Sequence, residues 1–137
     1  MLHMQWSRRA TVALSGAMLL CVLAALPRPA AATDWSLVMV EQAGCTYCAR
    51  WHADVAPEYP LTPEGRFAPL RAVNLRDLPD DVTFDSRPVY TPTFVLVRDG
   101  EEVGRIEGYP GEDFFWGLLG HLLEQADATW ATQETGG

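Results

Sequence analysis

The chain has 137 residues, of which 48% are hydrophobic, and its 18 acidic against ten basic residues give a formal net charge of −8. This length, without internal repeats, suits one compact domain. The negative charge argues against binding to nucleic acid or to anionic lipid, since both repel an acidic surface.

The first 32 residues have the pattern of a cleaved export signal. Two arginines precede an apolar stretch over residues 10–26, and small residues just before position 33 offer a cleavage site. We expect export by the Sec or the twin-arginine route, with an uncleaved anchor as the alternative because the stretch is only slightly shorter than a span of ~20 residues. Cleavage would remove Cys21 and leave seven arginines against 18 acidic residues, a net charge of −11.

The remaining chain alternates between strand and helix patterns. In chain order we predict a strand over residues 35–40, a helix over 49–56, a turn or short helix over 62–69 and a second strand over 70–75. A polar loop over 76–90 follows. The last elements are two strands over 93–98 and 102–107, joined by an Asp99-Gly100 turn, and a helix from Gly111. The first strand is apolar at consecutive positions, which is typical of a central strand.

These elements predict an α/β fold for residues 33–125. The order β-α-β followed by β-β-α gives one mixed central sheet, and we expect helices on both of its faces. Residues 126–137 lose the apolar pattern and are predicted to form a flexible C-terminal tail.

Cys45 and Cys48 are separated by two residues and lie between the first predicted strand and helix. This spacing is typical of a redox pair, half of a metal site or a haem-attachment motif, and the last of these would need His where Ala49 stands. Once Cys21 leaves with the signal, no other cysteine could pair with them. A disulfide across so short a loop would constrain the unfolded chain little, so the pair is better explained by redox chemistry than by stabilisation.

A cysteine in the first turn of a helix lies near unpaired N–H groups and the positive end of the helix dipole, which favour thiolate. We therefore predict Cys45 to be the nucleophile. Cys48 lies almost one turn further on and could attack a mixed disulfide formed at Cys45, as a resolving thiol. The reaction needs no cofactor beyond the Cys45–Cys48 disulfide, and Thr46 and Tyr47 between them are expected to tune the redox poise and contact the substrate.

Thr91 and Pro92 precede the predicted hairpin, at the head of a strand where proline is tolerated and a cis peptide bond can turn the chain. A Cys-x-x-Cys pair followed later by Thr-Pro before a β-hairpin resembles the thioredoxin superfamily. The resemblance implies a minimal thioredoxin-like fold, in which Thr91 and a cis Pro92 border the substrate site.

Longer stretches resemble the SoxS family, periplasmic thioredoxin-like proteins associated with bacterial sulfur oxidation. They are residues 44–52, 55–60, 87–96 and 104–111. The resemblance implies a periplasmic thiol:disulfide oxidoreductase, by preference a reductase for a partner protein's reactive cysteine, such as that of the sulfur-carrier protein of a thiosulfate-oxidising system. We also expect a membrane-spanning electron donor and a monomeric protein.

Some residues leave alternatives open. Met39 stands where thioredoxin has a buried Asp that assists proton transfer from the resolving thiol. Glu41, four residues before Cys45, is a candidate proton acceptor. Cys45, Cys48 and His52 could share a helix face and bind a soft metal, so a metal-binding or metallochaperone module is the alternative function. Disulfide oxidation or isomerisation is a third interpretation, because the sequence does not specify the redox potential.

Overall fold

A four-stranded mixed sheet forms the centre of the computed structural model, which describes residues 33–127, 129 and 130. The strands are β1 (Trp35–Glu41), β2 (Leu70–Asn74), β3 (Thr93–Arg98) and β4 (Glu101–Glu107), in the spatial order β2-β1-β3-β4. Strand β1 pairs in parallel with β2 and antiparallel with β3, and β3 pairs antiparallel with β4. The predicted central position of the first strand is therefore confirmed.

Helices connect and close the sheet. Those in the described residues are α1 (Thr46–Asp54), a 3₁₀ helix (Tyr59–Leu61), α2 (Pro63–Phe67) and α3 (Glu112–Ala126). Helix α1 begins earlier than the predicted range 49–56, because Cys45 caps it and its Sγ accepts a hydrogen bond from the Cys48 N–H at 3.1 Å. Helix α2 is capped in the same way by the Thr62 hydroxyl, which accepts from the Gly65 N–H at 3.1 Å.

The two faces of the sheet are covered differently, because side chains alternate between the faces along each strand. On one face, Leu37, Met39 and Phe94 pack in a single core with residues of all three α-helices. On the other face, the strand residues form a second core with side chains of the segment after β2. The residues of this second core are Val38, Val40, Val95, Val97 and Val82, with Val73, Leu75, Leu78 and Phe84 at its edge.

The predicted mixed sheet, with its order β-α-β followed by β-β-α, is thus confirmed, but the prediction of helices on both faces is corrected. In the part of the chain that the structure describes, no helix contributes to the second core. The loop over residues 75–84 covers that face instead, because its apolar side chains are spaced irregularly and supply the cover without a helical period.

The ends of the chain differ from the predicted boundaries or lie beyond them. The predicted export signal, residues 1–32, lies outside the described residues, and so does 131–137. Within the predicted tail, Ala126 still belongs to α3, and Trp130 is buried with its ring centroid 6.2 Å from that of Phe67. The Trp130 indole is part of the main core. None of the described helices is long and apolar enough to span a membrane.

Candidate active site

Cys45 and Cys48 form a disulfide at the junction between β1 and α1. Gly44 precedes them with a φ of +79°, a left-handed conformation that glycine adopts without strain. Cys45 is partly exposed at the helix cap, whereas Cys48 is only 4% exposed and packs in the core beside Trp51. A partner molecule can therefore reach the Cys45 sulfur, while the Cys48 sulfur is shielded.

The surroundings of Cys45 favour a negatively charged sulfur. Its Sγ accepts the N–H of Cys48 at 3.1 Å, in the first turn of a nine-residue helix whose dipole is positive at this end. The first turn of α1 contains no acidic side chain that would oppose the charge. A thiolate at Cys45 would keep this hydrogen bond in the reduced protein, as the sequence pattern predicts.

The loop before β3 lies beside the cysteine pair. The Thr91–Pro92 peptide bond is cis, as predicted, and Pro92 is buried. The Pro92 carbonyl accepts a hydrogen bond from the Gly108 N–H at 2.7 Å. The Thr91 hydroxyl accepts one from Gln42 Nε2 at 3.2 Å, which connects this loop to the segment just before Cys45. The predicted cysteine and proline motifs, far apart in sequence, are thus joined through Gln42.

Two open grooves flank the cysteine pair. The first, which we call the cysteine cavity, has a volume of about 640 Å³ and is lined by Cys45, Cys48, Thr46, Glu41, His52 and Asn74, among others. The second, the tyrosine groove, has a volume of about 760 Å³ and is lined by Tyr47, Arg50, Tyr90, Thr91, Tyr109 and Leu118, among others. The two motif residues Thr46 and Tyr47 therefore face different grooves.

The tyrosine groove exposes large aromatic side chains. Tyr47 is 55% and Tyr90 62% exposed, and the Arg50 guanidinium lies 5.9 Å from the centre of the Tyr47 ring. Tyr109 is buried at the base, where its hydroxyl donates to Asp54 Oδ2 at 3.0 Å. Burial, helped by the Asp54 carboxylate, raises the pKa of Tyr109 to about 12, so this hydroxyl remains a donor at alkaline pH values where a free tyrosine ionises.

Comparison with known proteins agrees with this geometry. The model of the thioredoxin-like domain matches residues 25–123. The chain belongs to the thioredoxin-like family. It is similar to the crystal structure of the periplasmic thioredoxin SoxS from Paracoccus pantotrophus in its reduced form, at 53% sequence identity and a TM-score of 0.67, covering 69% of this chain and 100% of that one. No curated protein sequence matches the chain.

These findings confirm the resemblance to SoxS, and with the Cys45–Cys48 disulfide they make the protein a thiol–disulfide oxidoreductase of thioredoxin-like type. One departure from thioredoxin stands out in the core. Met39, at the position of thioredoxin's buried Asp, is wholly buried and belongs to the same core as Cys48. A thioether there cannot accept a proton from the resolving thiol.

The residues of the alternative metal site are engaged with other partners in this thioredoxin-like protein. The Cys45 and Cys48 sulfurs are bonded to each other, and His52 Nε2 lies 2.6 Å from Glu41 Oε2. Across residues 33–127, 129 and 130, no three His, Cys, Asp or Glu side chains form a group that could hold a metal ion.

Two residues of the thioredoxin-like site, Gln42 and Arg50, carry no sequence signal of their own. A polar residue at a strand end and a cation on a short helix are both common, and their spacing does not distinguish them. For Gln42 the only available hint is its place directly after β1 and shortly before Cys45. The folded structure shows their contacts: Gln42 donates a hydrogen bond to the Thr91 hydroxyl, and the Arg50 guanidinium lies over the Tyr47 ring.

Proposed function

We propose that this thioredoxin-like protein is a periplasmic reductase that passes electrons from its cysteine pair to a disulfide in a partner protein. The observation that carries the proposal is the asymmetry of the two sulfurs. Cys45 is partly exposed and hydrogen-bonded at the start of α1, whereas Cys48 is 4% exposed. This arrangement suits an attacking thiolate at Cys45 and a resolving thiol at Cys48.

The reaction has two exchanges. The Cys45 thiolate attacks one sulfur of the partner's disulfide, forms a mixed disulfide with it and releases the other partner sulfur as a thiolate. Cys48 then loses its proton and attacks the Cys45 sulfur, so that the Cys45–Cys48 bond forms and the bond to the partner breaks. The partner gains two electrons and two thiols, and the protein is left in the disulfide form that the structure contains.

We propose that the partner lies across the tyrosine groove and the cis-proline loop. Tyr47 and Tyr90 line this groove and are more than half exposed, and large exposed aromatic side chains are typical of binding surfaces. Thr91, joined to Pro92 by the cis peptide bond, lines this groove, and Thr46 is exposed and lines the cysteine cavity. These residues would position the partner's disulfide in front of the Cys45 sulfur.

The periplasmic assignment is supported by the similarity to a periplasmic thioredoxin at 53% identity and by the signal pattern of residues 1–32. A periplasmic reductase has to be reduced again after each turnover, and the electrons then come from the cytoplasm through a membrane-spanning donor. The partner we propose is a protein with a reactive cysteine, in particular a sulfur-carrier protein of a thiosulfate-oxidising system.

The test of the proposal is to trap the partner. In a Cys48→Ser variant the mixed disulfide at Cys45 persists, so the variant should retain its partner through a bond that dithiothreitol releases. The Cys45→Ser/Cys48→Ser double variant is the matched control and should retain none. Cys45→Ser alone should abolish the reduction of a protein disulfide, and full activity in that variant would overturn the assignment.

The redox potential separates a reductase from an oxidase or isomerase. Thioredoxin has a potential of about −270 mV and a strong periplasmic oxidant about −120 mV. We expect the Cys45–Cys48 pair to lie nearer the thioredoxin value when it is equilibrated with glutathione buffers and the thiols are quantified by alkylation. A potential close to that of the strong oxidant would contradict the reductase proposal.

A further inference from the structure

The proposed reductase needs a proton acceptor for Cys48, and this inference rests on that proposed function. Cys48 attacks as a thiolate, yet it is 4% exposed and belongs to a core whose described residues include Met39 and no carboxylate. A buried thiol in apolar surroundings resists ionisation. A base elsewhere at the site would remove this obstacle.

The cysteine cavity contains such a base. His52 lies four residues after Cys48, one turn further along the same face of α1, and both line this cavity. Its Nε2 is 2.6 Å from Oε2 of Glu41, the last residue of β1. Because an ionised carboxylate only accepts hydrogen bonds, the neutral imidazole beside it carries its hydrogen on Nε2 and keeps the lone pair on Nδ1. The carboxylate thus holds the imidazole in a tautomer that can accept a proton.

We infer that His52, oriented by Glu41, accepts the proton that Cys48 releases when it resolves the mixed disulfide. The proton passes from the Cys48 sulfur to His52 Nδ1 through water in the cysteine cavity, which is open to solvent. The Cys48 sulfur then bonds to the Cys45 sulfur, and the partner's sulfur leaves as a thiolate. The Glu41 carboxylate stabilises the imidazolium formed, and the proton returns to water or to the departing thiolate.

Few titratable groups lie near Glu41 and His52 and could take part in this proton transfer. Strand β2 forms the far wall of the cavity with Ala72, Val73 and Asn74, and Asn74 pairs in register with Glu41. None of these three side chains titrates. The titratable groups lining the cavity are Glu41 from β1 and the two cysteines and His52 from α1. His52 is 43% and Glu41 32% exposed, so the proton can exchange with bulk water.

The two exchanges can be timed separately with dithiobis(nitrobenzoate) as the disulfide. With reduced protein in excess, attack by Cys45 releases the first thionitrobenzoate and attack by Cys48 releases the second, and stopped-flow absorbance follows both. In His52→Gln we expect the first phase to stay within about twofold of the unmodified protein and the second to be about tenfold slower near neutral pH.

The pH profile of the second phase is the readout that a structural role would not change. Between neutral and mildly alkaline pH, the rate of the second phase in the unmodified protein should vary little, because the base removes the proton of Cys48 throughout this range. In His52→Gln the second phase should rise by up to about tenfold per pH unit and approach the unmodified rate roughly one pH unit above neutral, because the thiolate fraction of Cys48 then grows without a base. Glu41→Gln should give an intermediate slowing.

Matched controls come from α3, where His121 and Glu124 are exposed and line neither groove. His121→Gln and Glu124→Gln make the same chemical changes and should leave both phases unaltered. An unchanged second phase in His52→Gln, or equal slowing of both phases, would overturn the inference alone. Failure of the unmodified protein to release the second thionitrobenzoate would instead overturn the proposed function.

Discussion

Replacing Tyr59 by Phe tests how the connection after α1 supports the helix that carries the cysteines. Tyr59 is 1% exposed, its hydroxyl donates to the Ala68 carbonyl at 2.8 Å, and its ring lies 6.2 Å from that of Trp51 in α1. Tyr59→Phe keeps the ring but leaves the buried carbonyl without this donor. We expect the free energy of unfolding to fall by about 1–2 kcal/mol at neutral pH.

At high pH the ionisation of Tyr59 in the unfolded chain offsets the stability that the substitution costs at neutral pH. Burial, with a smaller contribution from Glu64, raises the pKa of Tyr59 far above its ordinary value. Above about pH 10 a tyrosine ionises in the unfolded chain while Tyr59 in the folded protein keeps its proton. Unfolding then releases a proton. Tyr59 therefore lowers the free energy of unfolding as the pH rises above about 10, by up to about 1.4 kcal/mol per pH unit, and has no such effect below about pH 10.

The Tyr59→Phe variant lacks this alkaline loss, so its deficit of about 1–2 kcal/mol should disappear near pH ~11. Urea unfolding followed by far-UV circular dichroism at several values between about pH 8 and pH 11 gives the two stability curves. Tyr109 titrates in both proteins and cancels in the difference. Tyr90→Phe, at a position 62% exposed, is the control and should follow the unmodified curve. A difference between Tyr59→Phe and the unmodified protein that stays constant with pH would refute this reasoning.

Two further predictions concern the fold and the cis-proline loop. Gly65→Ala would place a Cβ 1.8 Å from the Tyr59 carbonyl oxygen, so we expect the free energy of unfolding to fall by about 3 kcal/mol or more. A Cβ at Gly117 in α3 would meet no other part of the protein within 4 Å, so Gly117→Ala should raise the free energy of unfolding by about 1 kcal/mol. Thermal unfolding measures both variants, and an unaltered melting temperature for Gly65→Ala would contradict the close packing. Gln42→Ala removes the hydrogen bond to Thr91 and should lower kcat/KM for a protein disulfide about 2- to 10-fold while leaving the first phase with dithiobis(nitrobenzoate) intact; an equal loss on both substrates would count against a docking role.

Local patterns predict much of this fold because strands and helices impose their own periods on the sequence. Strand β3 matches its predicted range 93–98, and the apolar stripe after Gly111 becomes α3, since each is long enough for its period to show. The prediction of a loop after β2 is confirmed. That this loop covers the second face of the sheet could not be predicted, because its apolar residues follow no regular period. Helix α1 is too short for periodicity to locate its start, which the cap at Cys45 decides.

The cysteine pair, its place between a strand and a helix, and the Thr91-Pro92 motif before the hairpin can be predicted from the sequence, because they depend on neighbours within a few residues. The burial of Cys48 and the distance of 2.6 Å between Glu41 and His52 could not be predicted in this way. These features arise when α1 packs on the sheet, because packing brings together side chains that local patterns leave independent. Spacing therefore predicted the redox chemistry, and packing arranged the groups that control it.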